Sequence, residues 1–160
     1  MSKRVIALLA GALAIALIVA GCGGGNGNST GTASISKAEF EKKGNAICAS
    51  GEKRVNAEVE EYVRENHLTT QKPTQAQMTE IANTIAIPSI QRQIDEIRAL
   101  GAPAGEEEQV SEVLAAVEEA LEEIKQDPAK IMESESQVPA FAKANRLARG
   151  LGLDVCGEEG

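Results

Sequence analysis

Apolar side chains recur at steps of three and four residues through nearly all of the chain from Ser36 onward. This spacing places them on one face of an α-helix, and no stretch alternates apolar and polar residues long enough to predict a β-strand. The first such stripe predicts a helix over residues 37–66 and consists of Phe40, Gly44, Ile47, Cys48, Gly51, Val55, Val59 and Tyr62. The pattern therefore predicts an all-α domain over residues 36–160.

Two glycines lie in this first stripe, and they constrain what can pack against it. Gly44 and Gly51 each destabilise a helix by about 1 kcal/mol relative to alanine, so we expect another segment to approach the helix closely there. The C-terminal tail, which carries Cys156, is the segment we expect. Ser36 and Glu39 have the spacing of a capping box, in which the serine caps the first turn and the glutamate bonds back to it.

A second helix is predicted from a capping box at Thr74 and Gln77 to about Leu100. Its apolar face consists of Met78, Ile81, Ile85, Ile87, Ile90, Ile94, Ile97 and Leu100. Pro88 lies inside the pattern and lacks a backbone donor, so we expect a kink there rather than two helices. The Gly101-Ala102-Pro103 segment ends the helix.

The third helix opens on Glu106-Glu107-Glu108, three acids that complement the positive end of a helix dipole; a cation site is the alternative interpretation. Its apolar face contains Val110, Val113, Leu114, Val117, Leu121 and Ile124, and its opposite side carries Glu118, Glu119, Glu122 and Glu123. Asp127-Pro128 ends it and starts a short helix through Met132, followed by a loop over residues 133–137. A final helix from Val138 to Gly150 completes a small four-helix bundle.

The N-terminus has the composition of a bacterial export signal. Lys3 and Arg4 supply a positive start, and the run from Val5 to Ala20 contains no charged side chain. The alternative is a permanent membrane-spanning helix, but the run is near the lower limit of about 17 residues for a bilayer span and no stop-transfer charges follow it. Residues 1–21 are therefore predicted to be a signal peptide.

Val19-Ala20-Gly21-Cys22, at the end of this run, resembles the lipobox of bacterial lipoproteins. The resemblance implies that the Cys22 sulfur receives a diacylglyceryl group and that cleavage leaves Cys22 as the first residue. The acyl chains, palmitate among them, would then anchor the protein in the lipid bilayer at the extracytoplasmic face of the cell membrane. A chance cysteine in an apolar run is the alternative. Residues 22–35, rich in Gly, Asn, Ser and Thr, are expected to form a flexible tether with an end-to-end distance on the order of 20 Å.

Two cysteines, Cys48 and Cys156, remain after Cys22 is assigned to the anchor. Because exported proteins commonly pair their cysteines, we expect a disulfide that ties the C-terminal tail to the first helix; two free, buried thiols are the alternative. A bond between positions 108 apart stabilises the fold by about 4–5 kcal/mol in the chain-entropy model.

The domain also resembles a group of small exported proteins of actinobacteria. Asn45-Ala46-Ile47-Cys48 matches their early cysteine-bearing helix, and Leu100-Gly101-Ala102-Pro103 matches their central junction before an acidic helix. Gly152-Leu153-Asp154-Val155-Cys156-Gly157 matches their late cysteine motif. The resemblance implies the helical fold and the disulfide. The group has no established activity, so the resemblance implies none.

Charge and residue content argue against several classes of function. Without Lys3 and Arg4 the chain has 14 basic and 24 acidic side chains, a net charge of −10, which disfavours binding to nucleic acid or to anionic lipid. The single histidine, His67, is expected at the surface at the end of the first helix rather than in a catalytic or metal-binding role. With two cysteines paired, no zinc or haem ligand set is present, and no glycine-rich loop joins a strand to a helix. We therefore expect no catalytic residues, no cofactor and no metal, and the protein is not predicted to be an enzyme.

Two functions remain after these exclusions. The first is a non-enzymatic envelope lipoprotein that acts through contacts with another, unidentified envelope protein; it predicts an exposed apolar patch on the order of several hundred Å². The second is a carrier or sensor of a small apolar ligand; it predicts an apolar cavity between helices, lined by the isoleucines of the second helix. The sequence leaves the oligomeric state open.

Overall fold

A computed structural model of the chain describes residues 34–128, 131 and 138–158. Its elements are α1 (Lys37–Glu65), α2 (Gln75–Ile81), a π-helical turn (Ala82–Ala86), α3 (Ile87–Leu100), α4 (Glu107–Gln126), a 3₁₀ turn (Pro139–Phe141) and α5 (Ala142–Gly150). Because α2, the π-helical turn and α3 follow one another without a break, these residues form four helices, and no strand occurs among them. The predicted all-α, four-helix fold is confirmed.

Several predictions fall on residues that this structure does not describe. They are the signal peptide, the acylated Cys22 and all but the last two residues of the tether. The loop over residues 133–137 and all of the short helix except Pro128 and Ile131 also lie outside the described residues. These remain predictions.

The helix starts follow the capping chemistry in the sequence, with one correction. Ser36 Oγ accepts a hydrogen bond from the Glu39 backbone N–H at 3.3 Å, as expected of the cap of α1. The Glu39 carboxylate does not complete a capping box, because it pairs with Lys43 Nζ at 2.6 Å one turn later, and that partner lowers its pKa. At α2 both halves of the Thr74–Gln77 capping box are present.

The second helix, expected to kink at Pro88, continues past this residue without a break and has a π-helical turn just before it. Proline lacks the N–H that would bond to the carbonyl four residues earlier, here that of Thr84, and its ring would collide with that carbonyl in a regular helix. The turn relieves this conflict by widening the backbone ladder, so that the Ile87 N–H bonds to the Ala82 carbonyl five residues back. Ser89, the residue after the proline, is completely buried, although the apolar stripe did not include it.

The core brings together α1, α3, α4, α5 and the segment after α5. Its buried cluster consists of Phe40, Cys48, Ile97, Val110, Val113, Ala148, Leu151 and Leu153. Most of these residues belong to the predicted helix faces, and Phe40, a residue of the first turn of α1, is fully buried. The apolar faces predicted from the sequence therefore identify most of the residues that form the core.

The last helix ends at Gly150, as the sequence predicted, but the left-handed residue that stops it lies two positions later. Gly150 is the final residue of α5, and the left-handed conformation that stops the chain occurs at Gly152, with φ of +76°. The Gly152 N–H bonds to the Arg149 carbonyl and the Leu153 N–H bonds to the Ala148 carbonyl, the two bonds of a Schellman motif. This turn directs the chain back into the protein, so that Leu153 is only 1% exposed.

The tail after this turn is fastened to α1 at three adjacent positions. The predicted disulfide is confirmed, with the Cα atoms of Cys48 and Cys156 5.2 Å apart. One turn earlier, Asn45 Nδ2 donates to the Gly152 carbonyl and Asn45 Oδ1 accepts from the Val155 N–H, both at 2.8 Å. A Cβ atom at Gly44 would lie 2.4 Å from Leu153 Cδ2, which confirms that Gly44 is needed for the close approach of the tail.

Gly51 serves a different neighbour from the one predicted. A Cβ atom there would lie 2.4 Å from the side-chain amide of Gln93, a residue of α3. The C-terminal tail is therefore the partner of Gly44 but not of Gly51. The sequence pattern shows that a helix is approached closely, but it does not identify the segment that approaches.

Candidate functional site: an apolar cleft beside the disulfide

A cleft of about 370 Å³ lies between α1, α3, α4, α5 and the tail, and it is partly open to solvent. Its described lining residues are mostly apolar: Cys48, Ile90, Gln93, Ile97, Val113, Leu114, Val117, Ile131, Val138, Phe141, Ala144, Asn145, Ala148, Leu153, Cys156 and Glu158. Ligand sites in proteins are typically concave, largely apolar and about 300–1,000 Å³ in volume. The cleft therefore has the size and the lining expected of a site for one small molecule.

The cleft exists because the inward face of α5 carries small side chains. Ala144 and Ala148 lie one helical turn apart on that face, and both are buried. Across from them α4 contributes the branched side chains of Val113 and Val117. Since a methyl group fills much less space than the side chain of leucine or isoleucine, the two helices pack against each other and still leave room between them.

The disulfide forms part of the cleft wall. Cys48 and Cys156 both line it, as does Leu153, which the Schellman turn directs inward. The same contacts that hold the tail on α1 therefore also shape the cleft. A change that releases the tail removes one side of the site.

Three polar residues line the cleft among these apolar ones. Gln93 on α3 is half-buried, and its Nε2 donates to the carbonyl and the hydroxyl of Ser89 at 3.3 and 3.5 Å. Asn145 on α5 is also half-buried. Glu158 in the tail is exposed and forms no ion pair with any residue that the structure describes. These groups can orient the polar end of a molecule whose apolar part fills the cleft.

The expectation that isoleucines of the second helix line a cavity is met in part. Ile90 and Ile97 do so. Ile81, Ile85 and Ile94 are buried but do not contact the cleft. Sequence reasoning missed the contributions of Ala144, Ala148 and Gln93, because alanine and glutamine carry no chemical signal of a pocket.

The other residues considered at the sequence level lie away from the cleft. His67 is exposed, has a left-handed φ of +57° just after α1, and is not among the cleft residues. Glu106, expected to complement the helix dipole, pairs with Lys37 across the start of α1 and raises the pKa of that lysine. No group of three or more histidines, cysteines or acids within residues 34–128, 131 and 138–158 is placed to hold a metal ion.

The acidic side of α4 is occupied by surface ion pairs. Glu118 pairs with Arg98, Glu119 with Lys143 and Glu122 with Lys125. The second depression of the surface, about 310 Å³, is more open to solvent and includes the Arg98–Glu118 pair in its lining. Arg98 and Glu118 already pair with each other there, so the apolar cleft is the better candidate site.

Comparison of the chain with protein-family models, with curated proteins and with solved structures finds no match. Among the residues that the structure describes, none of the helices is both long and apolar enough to span a membrane.

Proposed function

We propose that this protein is a membrane-anchored extracytoplasmic lipoprotein that binds one small apolar molecule without transforming it. The observation that supports the proposal is the apolar cleft between α3, α4 and α5. The cleft offers burial of apolar surface, which contributes about 25 cal/mol for each Å² removed from water. It presents no histidine and no set of paired catalytic groups among its described lining residues, so binding rather than catalysis is the function proposed.

In this proposal the acylated Cys22 holds the domain, and therefore the cleft, near the membrane. A poorly water-soluble molecule concentrates in or near a membrane, and a tether reaching on the order of 20 Å would hold the domain close to that supply. The acidic surface would keep the domain from adhering to anionic headgroups. The protein would then act as a carrier or sensor that exchanges its ligand with the membrane surface.

The alternative function, contact with another envelope protein, predicted an exposed apolar patch. In residues 34–128, 131 and 138–158, every Ile, Leu, Val, Met, Phe and Tyr side chain is at least partly buried. Some of them, such as Val55, Val59 and Tyr62, lie outside both the buried core cluster and the cleft, but none is exposed. We therefore favour ligand binding over the adaptor function.

A solvent-extraction experiment tests the proposal. The wild-type protein would be purified beside Val117→Phe, which fills the cleft, and Val59→Phe, which makes the same change at a half-buried α1 position outside it. The three proteins would be extracted with organic solvent, and the extracts compared by mass spectrometry. We expect one compound, in an amount comparable with the protein, from the wild type and from Val59→Phe but not from Val117→Phe.

Comparison of the three extracts also separates the cleft from the anchor. A compound that all three proteins carry equally would belong to the acyl anchor or to the detergent, and the proposal would be wrong. Circular dichroism of both variants would establish that they retain the helical fold.

A further inference from the structure

The charged groups around the cleft restrict the polar end of its ligand. Glu158 is the one charged residue among the described lining residues, and its side chain is exposed at the cleft. No lysine, arginine or histidine is in that set. The nearby Arg149 of α5 donates from Nη1 to the Gly157 carbonyl and does not line the cleft.

The uncharged polar groups are better suited to accept hydrogen bonds from a ligand than to neutralise a negative charge. Because Gln93 Nε2 donates towards Ser89, Gln93 Oε1 is the amide atom that makes no hydrogen bond to a described residue. The Asn145 amide and the Glu158 carboxylate contribute further acceptor oxygens. A hydroxyl or an ammonium group can donate to these oxygens.

A ligand with a negatively charged polar end would find no suitable partner among these acceptor oxygens. A carboxylate or phosphate that leaves water needs a counter-charge or several donors, since an unpaired charge in an apolar site is strongly disfavoured. The described lining supplies no cation, and the Glu158 carboxylate would repel a second negative charge. The domain as a whole adds to this repulsion, since acidic side chains outnumber basic ones in the chain.

We propose that the ligand of the cleft is an apolar molecule whose polar end is an uncharged or positively charged hydrogen-bond donor, and that Glu158 excludes anionic amphiphiles such as fatty acids. This inference rests on the proposed function, because it specifies the ligand of the same site.

Three probes with the same alkyl chain test the inference: octanol, octylammonium and octanoate. The full-length protein would be placed in phosphatidylcholine nanodiscs, and binding would be followed by NMR of isoleucine methyl groups. Ile90 and Ile97 report from the cleft, and Ile81 is a buried control outside it. This site-specific readout distinguishes binding in the cleft from partition into the nanodisc. We expect saturable shifts at the cleft isoleucines with octanol and octylammonium, and binding of octanoate weaker by about tenfold or more.

Two variants establish whether Glu158 causes the discrimination. Glu158→Gln should strengthen octanoate binding, although octanoate should stay weaker than octanol because the described lining still supplies no cation. Glu60→Gln removes one negative charge from an exposed site on α1, about 18 Å along the helix from Cys48, and should leave the discrimination intact. If octanoate binds as well as octanol, or if Glu158→Gln changes nothing, the inference about charge is wrong while ligand binding stands. If none of the probes shifts the cleft isoleucines, the proposed function fails and the inference fails with it.

Discussion

The two halves of α1 carry the same apolar spacing but differ in what covers them. In the first half Phe40, Gly44, Cys48 and Gly51 are all buried. In the second half the stripe continues through Val55, Val59 and Tyr62, yet each of these residues is only half-buried. The described part of the C-terminal tail is fastened to the first half, through the disulfide and Asn45. Periodicity therefore determines that a helix forms, whereas segments distant in the sequence determine which part of it becomes core.

Removal of the disulfide is expected to have the largest effect on this difference. Replacing both Cys48 and Cys156 by alanine removes a link that spans 108 positions and should lower the free energy of unfolding by about 4 kcal/mol, as measured by urea denaturation. Hydrogen exchange should accelerate more around residue 45 than around residue 60. Chemical reduction of the wild type should cause a comparable loss, and equal stability of oxidised wild type and variant would show that the tail is held without the bond.

Loss of the Asn45 contacts is expected to be the next largest effect. Asn45→Ala leaves the Gly152 carbonyl and the Val155 N–H without their side-chain partner, so the free energy of unfolding should fall by about 2–3 kcal/mol. Asn56→Ala is the matched control in the exposed second half of α1, and it should change stability by less than about 0.5 kcal/mol. Similar losses of stability in the two variants would contradict the conclusion that the tail makes the first half of α1 more important to stability than the second.

Replacing each of the two glycines of the first half by alanine should change the stability by different amounts. At Gly44 an added methyl group would press on Leu153, which is buried and fixed by the tail. Gly44→Ala should therefore cost about 1–2 kcal/mol, after the gain in helix propensity is included. At Gly51 the methyl group would meet the end of the half-buried, flexible Gln93 side chain. Gly51→Ala should be close to neutral in thermal denaturation, and the reverse order of the two variants would refute this account.

The smallest expected effect on stability comes from a hydrogen bond of Tyr62 in the second half of α1. Its hydroxyl donates to Glu80 Oε2 at 2.8 Å, and this hydrogen bond raises the pKa of the phenol above its ordinary value. A raised folded-state pKa means that the contact stabilises the fold below the unfolded-state pKa and is lost as the pH rises through the folded-state pKa. Because the chain has one tyrosine and no tryptophan, an absorbance titration reports on this group alone. Glu80→Ala should lower the measured pKa, whereas Glu61→Ala should not; identical curves for all three proteins would rule out the contact.

Features that depend on local sequence could be predicted, and they include most of the fold. The helix faces, the Thr74 capping box and the irregularity at Pro88 follow from residues close together in the chain. The Cys48–Cys156 bond could also be predicted, since only one pair remained once Cys22 was assigned to the anchor.

The cleft depends on features that sequence patterns do not reveal. It needs two alanines on α5 to face branched side chains on α4, and it needs the Schellman turn at Gly152 to bring Leu153 and Cys156 to its wall. The end of the last helix at Gly150 was predicted correctly, but the left-handed role of Gly152 was not, because either glycine can terminate a helix by propensity alone. Gly152 has a positive φ and its carbonyl is bonded by Asn45, a residue more than a hundred positions earlier, which no local pattern could reveal.

The fastening of the tail to α1 also sets an order of events during synthesis. The space beside Gly44 is filled by Leu153, and the polar atoms of Asn45 find their partners in residues 152 and 155. A nascent chain that has not yet emerged as far as Cys156 therefore has an incomplete core, even though α1 to α4 are already present. The domain therefore cannot complete its core until the residues near its C-terminus have been synthesised.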